Sequence, residues 1–218
     1  MGPGERLVGV TSLGAHTEAG SLVLFSRGGK IKRSLLTEYQ SADSRGVVDL
    51  KLAPGDEVIA ATLAREDDDC LLLSSAGKVL RFPLAAVRAT GRGTQGVVGM
   101  SLPRGTHLVS ATTAEGRAKS HVILLTTAGV VKKVPLREFP RKGRATGGVA
   151  GVGLTRGRTA ASLAVAAPGS HVILNAAKQV VRLAADELTT RGRSAKGTQV
   201  LPAFDAESAS RAAILVLS

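Results

Sequence analysis

The chain repeats itself, and that one property narrows its possible folds more than any other. Four imperfect copies of a unit of about 50 residues follow one another, a period that marks stacked or radially repeated architectures. The copies align at a hairpin: Leu24-Phe25-Ser26-Arg27-Gly28-Gly29-Lys30-Ile31-Lys32-Arg33, Leu72-Leu73-Ser74-Ser75-Ala76-Gly77-Lys78-Val79-Leu80-Arg81, Leu124-Leu125-Thr126-Thr127-Ala128-Gly129-Val130-Val131-Lys132-Lys133, and Val172-Ile173-Leu174-Asn175-Ala176-Ala177-Lys178-Gln179-Val180-Val181-Arg182. A basic residue recurs at one point of each copy, Arg33, Arg81, Lys133 and Arg182, spaced 48, 52 and 49 residues apart. Because one such unit cannot bury its own apolar face, the copies must pack on each other. The reading is therefore a single repeat domain over 1–218, with approximate repeats 20–67, 68–119, 120–168 and 169–218. Residues 4–14 resemble the trailing strand of a unit.

Each copy runs in the same order. A short apolar strand comes first (Leu22–Phe25, Leu71–Leu73, Val122–Leu125, Val172–Leu174), then a tight small-residue turn, where glycine tolerates positive φ. A return strand follows, rich in Ile and Val and interleaved with Lys and Arg. Its β-branched residue, Ile31, Val79, Val131 or Val180, shares a strand face with the basic residue two places on. On this pattern the strand leaves the core between the two, burying the apolar side chain and placing the charge at a rim. Next come the segments Leu36-Thr37-Glu38-Tyr39, Leu84-Ala85-Ala86-Val87, Leu136-Arg137-Glu138-Phe139 and Asp186-Glu187-Leu188, read as turns that plug an apolar side chain into the core. Gly/Arg-rich loops follow, and then trailing strands at Gly46–Leu50, Asp56–Ala61, Gly96–Leu102, Thr106–Ala111, Gly148–Leu154 and Arg211–Leu217. Closely spaced short strands and turn signals, with no long helical pattern, indicate an all-β fold, and the period selects a propeller-like one.

Composition then limits function. The net charge is +12 and the pI about 10.7, a balance that suits nucleic acid or another polyanion. Glu66-Asp67-Asp68-Asp69 reads as a solvated inter-strand loop, since it lacks the spacing of a calcium loop. Cys70 is the single cysteine; it fits a reducing cytoplasm and reads as a small apolar residue beside Leu71. No apolar run reaches the length of a membrane span, and no signal-peptide pattern opens the chain. Aromatics make up 2% with no Trp, which argues against base-stacking platforms and a WD-type propeller. His16, His107, His121 and His171 are scattered without a cysteine at metal-ligand spacing, so no metal site and no cofactor are expected. His121 and His171 hold matching positions and read as structural. No serine sits in a nucleophile elbow. Gly91-Arg92-Gly93-Thr94-Gln95-Gly96 matches a dinucleotide fingerprint by letter only, lacking the strand–helix context.

The hairpin Ser75-Ala76-Gly77-Lys78-Val79, the segment Leu36-Thr37-Glu38-Tyr39, and the loops Gly91-Arg92-Gly93-Thr94-Gln95-Gly96-Val97 and Arg144-Ala145-Thr146-Gly147-Gly148-Val149 together resemble the C-terminal DNA-wrapping domain of the A subunit of bacterial type IIA topoisomerases. The resemblance covers essentially the whole chain. It implies a β-pinwheel, a propeller-like disc whose strands are exchanged between neighbouring blades, with a basic perimeter on which duplex DNA bends. Four blades are counted here, fewer than is common in the family, which implies a small, open or incomplete ring. The Gln-Arg-Arg-Gly-Gly-Lys-Gly box of the gyrase subfamily is absent; Gln40-Ser41-Ala42-Asp43-Ser44-Arg45-Gly46 stands where one blade would carry it. Gyrase-like and topoisomerase IV-like duties both stay open. The strand-cleaving tyrosine of these enzymes lies in another domain, and Tyr39 reads as a packing residue. The resemblance thus implies a non-catalytic module. Its expected partners are duplex DNA, the A-subunit core and the ATPase subunit. The expected setting is the cytoplasm at the nucleoid, with the isolated domain monomeric.

For phosphate contacts the first expectation is Arg33, Arg81, Lys133 and Arg182. Arg45, Arg92, Arg144 and Arg193 come next, in loops whose glycines let backbone N–H groups approach phosphate. Lys30, Lys32, Lys78, Lys132, Arg141, Lys142, Arg191 and Lys196 support them. Such contacts position a duplex without reading its sequence. The competing class is a protein-interaction propeller that docks on an acidic partner and touches no DNA.

Overall fold

The computed structural model describes residues 7–8, 20–39, 46–115, 119–176, 179–209 and 212–217. They form four antiparallel sheets. In the first, β1 (Ser21–Ser26) and β2 (Lys30–Leu35) make the hairpin, β3 (Val58–Ala64) flanks β1, and β6 (Val97–Val98) flanks β2. The second contains β4 (Asp69–Ser74), β5 (Lys78–Pro83), β7 (Leu108–Ala114) and β10 (Val149–Ala150), in the order β10-β5-β4-β7. The third contains β8 (His121–Thr126), β9 (Val130–Pro135), β11 (Ala160–Ala166) and β14 (Thr198–Gln199), ordered β11-β8-β9-β14. The fourth has three strands, β13 (Gln179–Ala184), β12 (His171–Ala176) and β15 (Ala213–Leu217), with β13 at its edge.

This is a four-blade propeller arrangement with strand exchange and, among the described residues, no closed ring. The fourth strand of each complete sheet comes from the next repeat: Ile31 pairs with Val97, Val79 with Val149, and Val131 with Thr198. The inner strands stand side by side, β3 against β7, β7 against β11, and β11 against β15. Small residues allow that approach, and hydroxyl groups tie the strands together. Ser110 Oγ donates to the Leu163 carbonyl at 3.3 Å, and Ser162 Oγ accepts from the Ile214 N–H at 3.2 Å.

The core is divided into three clusters, one in each gap between successive sheets. Phe25, Ile31, Leu72 and Phe82 fill the first, Leu71, Leu73, Val122 and Leu124 the second, and Leu125, Val131, Val172 and Leu174 the third. Alternate residues of β4 therefore face opposite neighbours, and Cys70, Leu71, Leu72 and Leu73 are all fully buried. Cys70 is thus the apolar residue expected, and burial pushes its thiol up. The plugging turns are short 3-10 segments that bury Leu36, Leu84, Leu136 and, in the fourth copy, Ala185 and Leu188.

Several expected boundaries are corrected. Gly46–Leu50 is not a strand; among the described residues only Leu50 bridges, to Thr94. The expected Gly96–Leu102 and Gly148–Leu154 strands shrink to the two-residue strands β6 and β10. β11, rich in alanine, gave no strand signal in the sequence. The acidic run is not a solvated loop as a whole: Asp68 and Asp69 are buried, and Asp69 opens β4. Most of 4–14, together with His16, Arg45 and Arg211, lies outside the described residues.

Candidate nucleic-acid interface

Three of the four recurrent basic residues do not reach a rim. Arg33, Arg81 and Lys133 lie on the return strands β2, β5 and β9, on the face turned toward the next sheet, so period-two geometry carries them into a gap between blades. Arg33 is buried; its Nε donates to Ser21 Oγ at 2.9 Å, its Nη1 to the Val87 carbonyl, and its Nη2 pairs with Glu66. Arg81 pairs with the fully buried Asp69 at 2.6 Å and donates through Nη1 to the carbonyls of Leu136 and Phe139, at 3.0 and 3.3 Å. Lys133 donates to the Ala185 carbonyl at 2.8 Å. Each cation therefore grips the 3-10 turn of the next blade, and the expected rim placement is overturned for these three. Arg182 is exposed, on the edge strand of the fourth sheet, where no further blade covers it among the described residues.

Two supporting residues are buried as well. Lys32 pairs with Asp49 at 2.8 Å and donates to Ser34 Oγ. Lys132 donates to the Gly151 carbonyl at 3.0 Å and to the Arg193 carbonyl, and burial lowers its affinity for a proton. Neither is available to a phosphate on the surface.

The loop arginines are placed differently. Loops 88–96, 140–148 and 189–197 precede the exchanged outer strands and lie across two blades. Their backbone N–H groups from Thr90, Lys142 and Arg191 reach the carbonyls of Arg33, Arg81 and Lys133 at 2.9, 2.8 and 2.9 Å. Arg144 is exposed and donates through Nε to the Ala86 carbonyl at 3.2 Å and through Nη1 to Val98 at 3.1 Å. Arg193, partly exposed, repeats this with Nη1 on the Ala150 carbonyl at 3.3 Å, while its own N–H is held by Glu138 at 2.9 Å. Both guanidinium groups are therefore anchored on the edge of an outer strand, and each keeps further donors of its five N–H groups.

Arg92, Lys142, Arg191, Lys196 and Lys78 are exposed, and Lys30 is partly so. Arg141 is exposed too, but its Nε lies 2.9 Å from Asp69, which neutralises part of its charge. Exposed Lys51 and Arg88 were missed in the sequence: the Lys51 N–H donates to Thr94 inside the Arg92 loop at 2.9 Å, and Arg88 leads into that loop two residues after Ala86. Both stand at loop junctions, where the repeats do not keep a basic residue. Among the other titrating groups, burial and then the charges of Lys133 and Arg137 lower His121, while burial and Arg27 lower His107. No group of three or more His, Cys, Asp or Glu able to hold a metal ion is found among the described residues. Nor is any described helix long and apolar enough to cross a membrane.

The family model described as DNA gyrase C-terminal domain, beta-propeller, matches residues 20–65, 68–115 and 120–159, more than half of the chain. The A subunit of DNA gyrase from Deinococcus deserti is 32% identical over 209 residues, which is 94% of this chain and 26% of that protein. The chain thus spans about a quarter of the length of the curated relatives it matches. Among solved structures, the C-terminal domain of DNA topoisomerase IV superposes with a TM-score of 0.80 at 23% identity, covering 91% of this chain and 62% of that one. The DNA gyrase A C-terminal domain superposes with a TM-score of 0.77 at 25% identity, covering 87% and 64%.

Proposed function

Given that the chain belongs to the family of DNA gyrase C-terminal beta-propeller domains, we propose that it is a non-catalytic module that binds duplex DNA along its outer perimeter and bends it for a type IIA topoisomerase. Its partners in that assembly are the A-subunit core and the ATPase subunit, in the cytoplasm at the nucleoid. The carrying observation is the repeated anchoring of Arg144 and Arg193 on the carbonyls of Val98 and Ala150. Equivalent cations, Arg144 exposed and Arg193 partly so, are thereby held at equivalent points of successive blades, beside the exchanged strands.

The phosphate-contact set is Arg92, Arg144, Arg193, Lys142, Arg191 and Lys196, with Arg182, Lys78, Lys30, Arg141, Lys51 and Arg88 flanking it. Duplex DNA carries one charge per roughly 1.7 Å of axis, so cations on successive blades can follow it. With about one or two contacts per blade, log K falls with log salt at a slope of about −0.9 per contact, on the order of 4–8 contacts in all. Smooth bending of a short site costs on the order of 1–6 kcal/mol, which several charge-assisted contacts offset. Discrimination between sequences then comes from ease of bending.

The test is binding to a duplex across a salt series, alongside ligation of nicked circles. Salt-dependent binding with a changed linking number supports the reading. Equal affinity for an unrelated polyanion, with no change in linking number, favours the protein-docking alternative.

A further inference from the structure

The Gly/Arg loops that cross the three internal blade junctions differ in what faces them. Gly91-Arg92, Gly143-Arg144 and Gly192-Arg193 hold matching places, and the 3-10 turn one repeat earlier sets Glu38, Ala86 or Glu138 in the corresponding position. Glu138 Oε2 accepts the Arg193 N–H at 2.9 Å and stands 3.7 Å from where a Cβ on Gly192 would lie. Glu38 Oε2 stands 3.8 Å from the same point on Gly91, whereas nothing comes within 4 Å of it on Gly143.

The acids accompany buried strand cations. Lys32 and Lys132 lie inside the first and third junctions, and at the second the matching buried residue is Leu80. Lys132 donates to the Arg193 carbonyl, and the charge of Glu138 acts to keep it protonated against burial. The Arg193 peptide is thus held between a buried ammonium and a partly exposed carboxylate. Leu80 needs no counter-charge, and Ala86 supplies none. Beside that second junction Arg88, Lys142 and Arg144 are exposed. Arg144 is fixed by its bonds to the Ala86 and Val98 carbonyls and keeps its remaining N–H donors for an anion.

Resting on the perimeter reading above, we propose that the DNA backbone is gripped most tightly at Gly143-Arg144, and that Glu138 and Glu38 weaken the equivalent sites at Arg193 and Arg92. A phosphate arriving at Arg193 must displace the carboxylate from the N–H or accept its repulsion at short range. At Arg144 it meets cations and open backbone. The three junctions are therefore unequal holds on one duplex, graded by a single position of the 3-10 turn.

Anisotropy titration of a duplex with the full chain at fixed salt tests this, with urea midpoints confirming that each variant is folded. Arg144→Gln is expected to weaken binding about tenfold, the scale of a charge-assisted hydrogen bond, and Arg193→Gln or Arg92→Gln no more than about twofold. Glu138→Gln keeps an acceptor for the Arg193 N–H and removes only the charge. It is expected to strengthen binding about threefold and to raise the cost of Arg193→Gln to that of Arg144→Gln. Ala86→Glu, at an exposed site, is expected to weaken binding. Equal losses at Arg144 and Arg193 overturn the proposal and leave the perimeter reading in place. So does a Glu138→Gln variant that binds no better, as a residue that merely braces the loop would. An unaltered chain without salt-dependent binding overturns both.

Discussion

Asp69, the first residue of β4, and Arg81, within β5, lie 2.6 Å apart, and Asp69 has no exposed surface. The same guanidinium reaches across the blade boundary to the carbonyls of Leu136 and Phe139. A charge that reads as a phosphate contact in the sequence is thus a clamp between two blades.

Arg81→Leu leaves the Asp69 carboxylate buried with Arg141 as its remaining partner. Removing one member of a buried ion pair costs about 3–5 kcal/mol, so urea unfolding is expected to show a loss of that order. Unchanged stability would show that the clamp carries nothing. The salt slope on duplex DNA is expected to stay as it was, because Arg81 is not on the perimeter.

The loop arginines behave in the opposite way. Replacing Arg92, Arg144 and Arg193 together by Gln takes away up to three cations that face phosphate. Each cation removed flattens the slope of log K against log salt by about 0.9. Anisotropy titrations on a duplex over a salt series measure it. Stability is expected to change little, since all three lie at the surface or partly so. A slope unaltered by the triple change counts against the perimeter assignment.

Gly46 and Gly96 form a matched pair for measuring strand exchange. Alanine at either adopts left-handed backbone, which costs roughly 1–2 kcal/mol. At Gly96 the new Cβ also lies 2.7 Å from the Ile31 carbonyl, and at Gly46 it meets open space. Gly96→Ala is expected to destabilise clearly more than Gly46→Ala in urea unfolding of dilute protein; equal losses would deny that the exchanged strand is tightly seated.

Acid tests His121. Burial and the charges of Lys133 and Arg137 outweigh the opposing pull of Asp186 and lower its proton affinity in the folded chain below the ordinary value of 6.5. The neutral imidazole is favoured in the fold, so its contribution is present above the unfolded pKa. It is lost as pH falls below about 6.5 and the unfolded chain takes up the proton first. His121→Gln is expected to flatten the fall in stability between about pH 7.5 and about pH 5, read from urea midpoints.

The repeat and the hairpins were legible because strand and turn chemistry is local: Gly77 at φ +75 and the apolar run Leu71–Leu73 announce themselves. The position of the cations was not, because it depends on what covers the strand. A sheet with that face uncovered would put Arg33 and Arg81 at its margin; the next blade packed on that face buries them. One signal was available. Ser21 with Arg33 and Asp69 with Arg81 are each 12 residues apart, and both pairs are hydrogen bonded. The acid in the second pair advertised an internal partner for the cation. Arg144 and Arg193 were visible as loop cations, but their carbonyl anchors on other repeats were beyond any local pattern.

Strand exchange also decides where this polypeptide tolerates scissors. A cut placed at the repeat boundary near 168 would strip β14 from the third sheet and leave β9 bare, although every residue of the third repeat were kept. A cut beyond Leu201 would preserve that sheet. Shuffling units between relatives must therefore move each hairpin together with the following unit as far as its exchanged strand, because the covalent period and the hydrogen-bonded period are out of step.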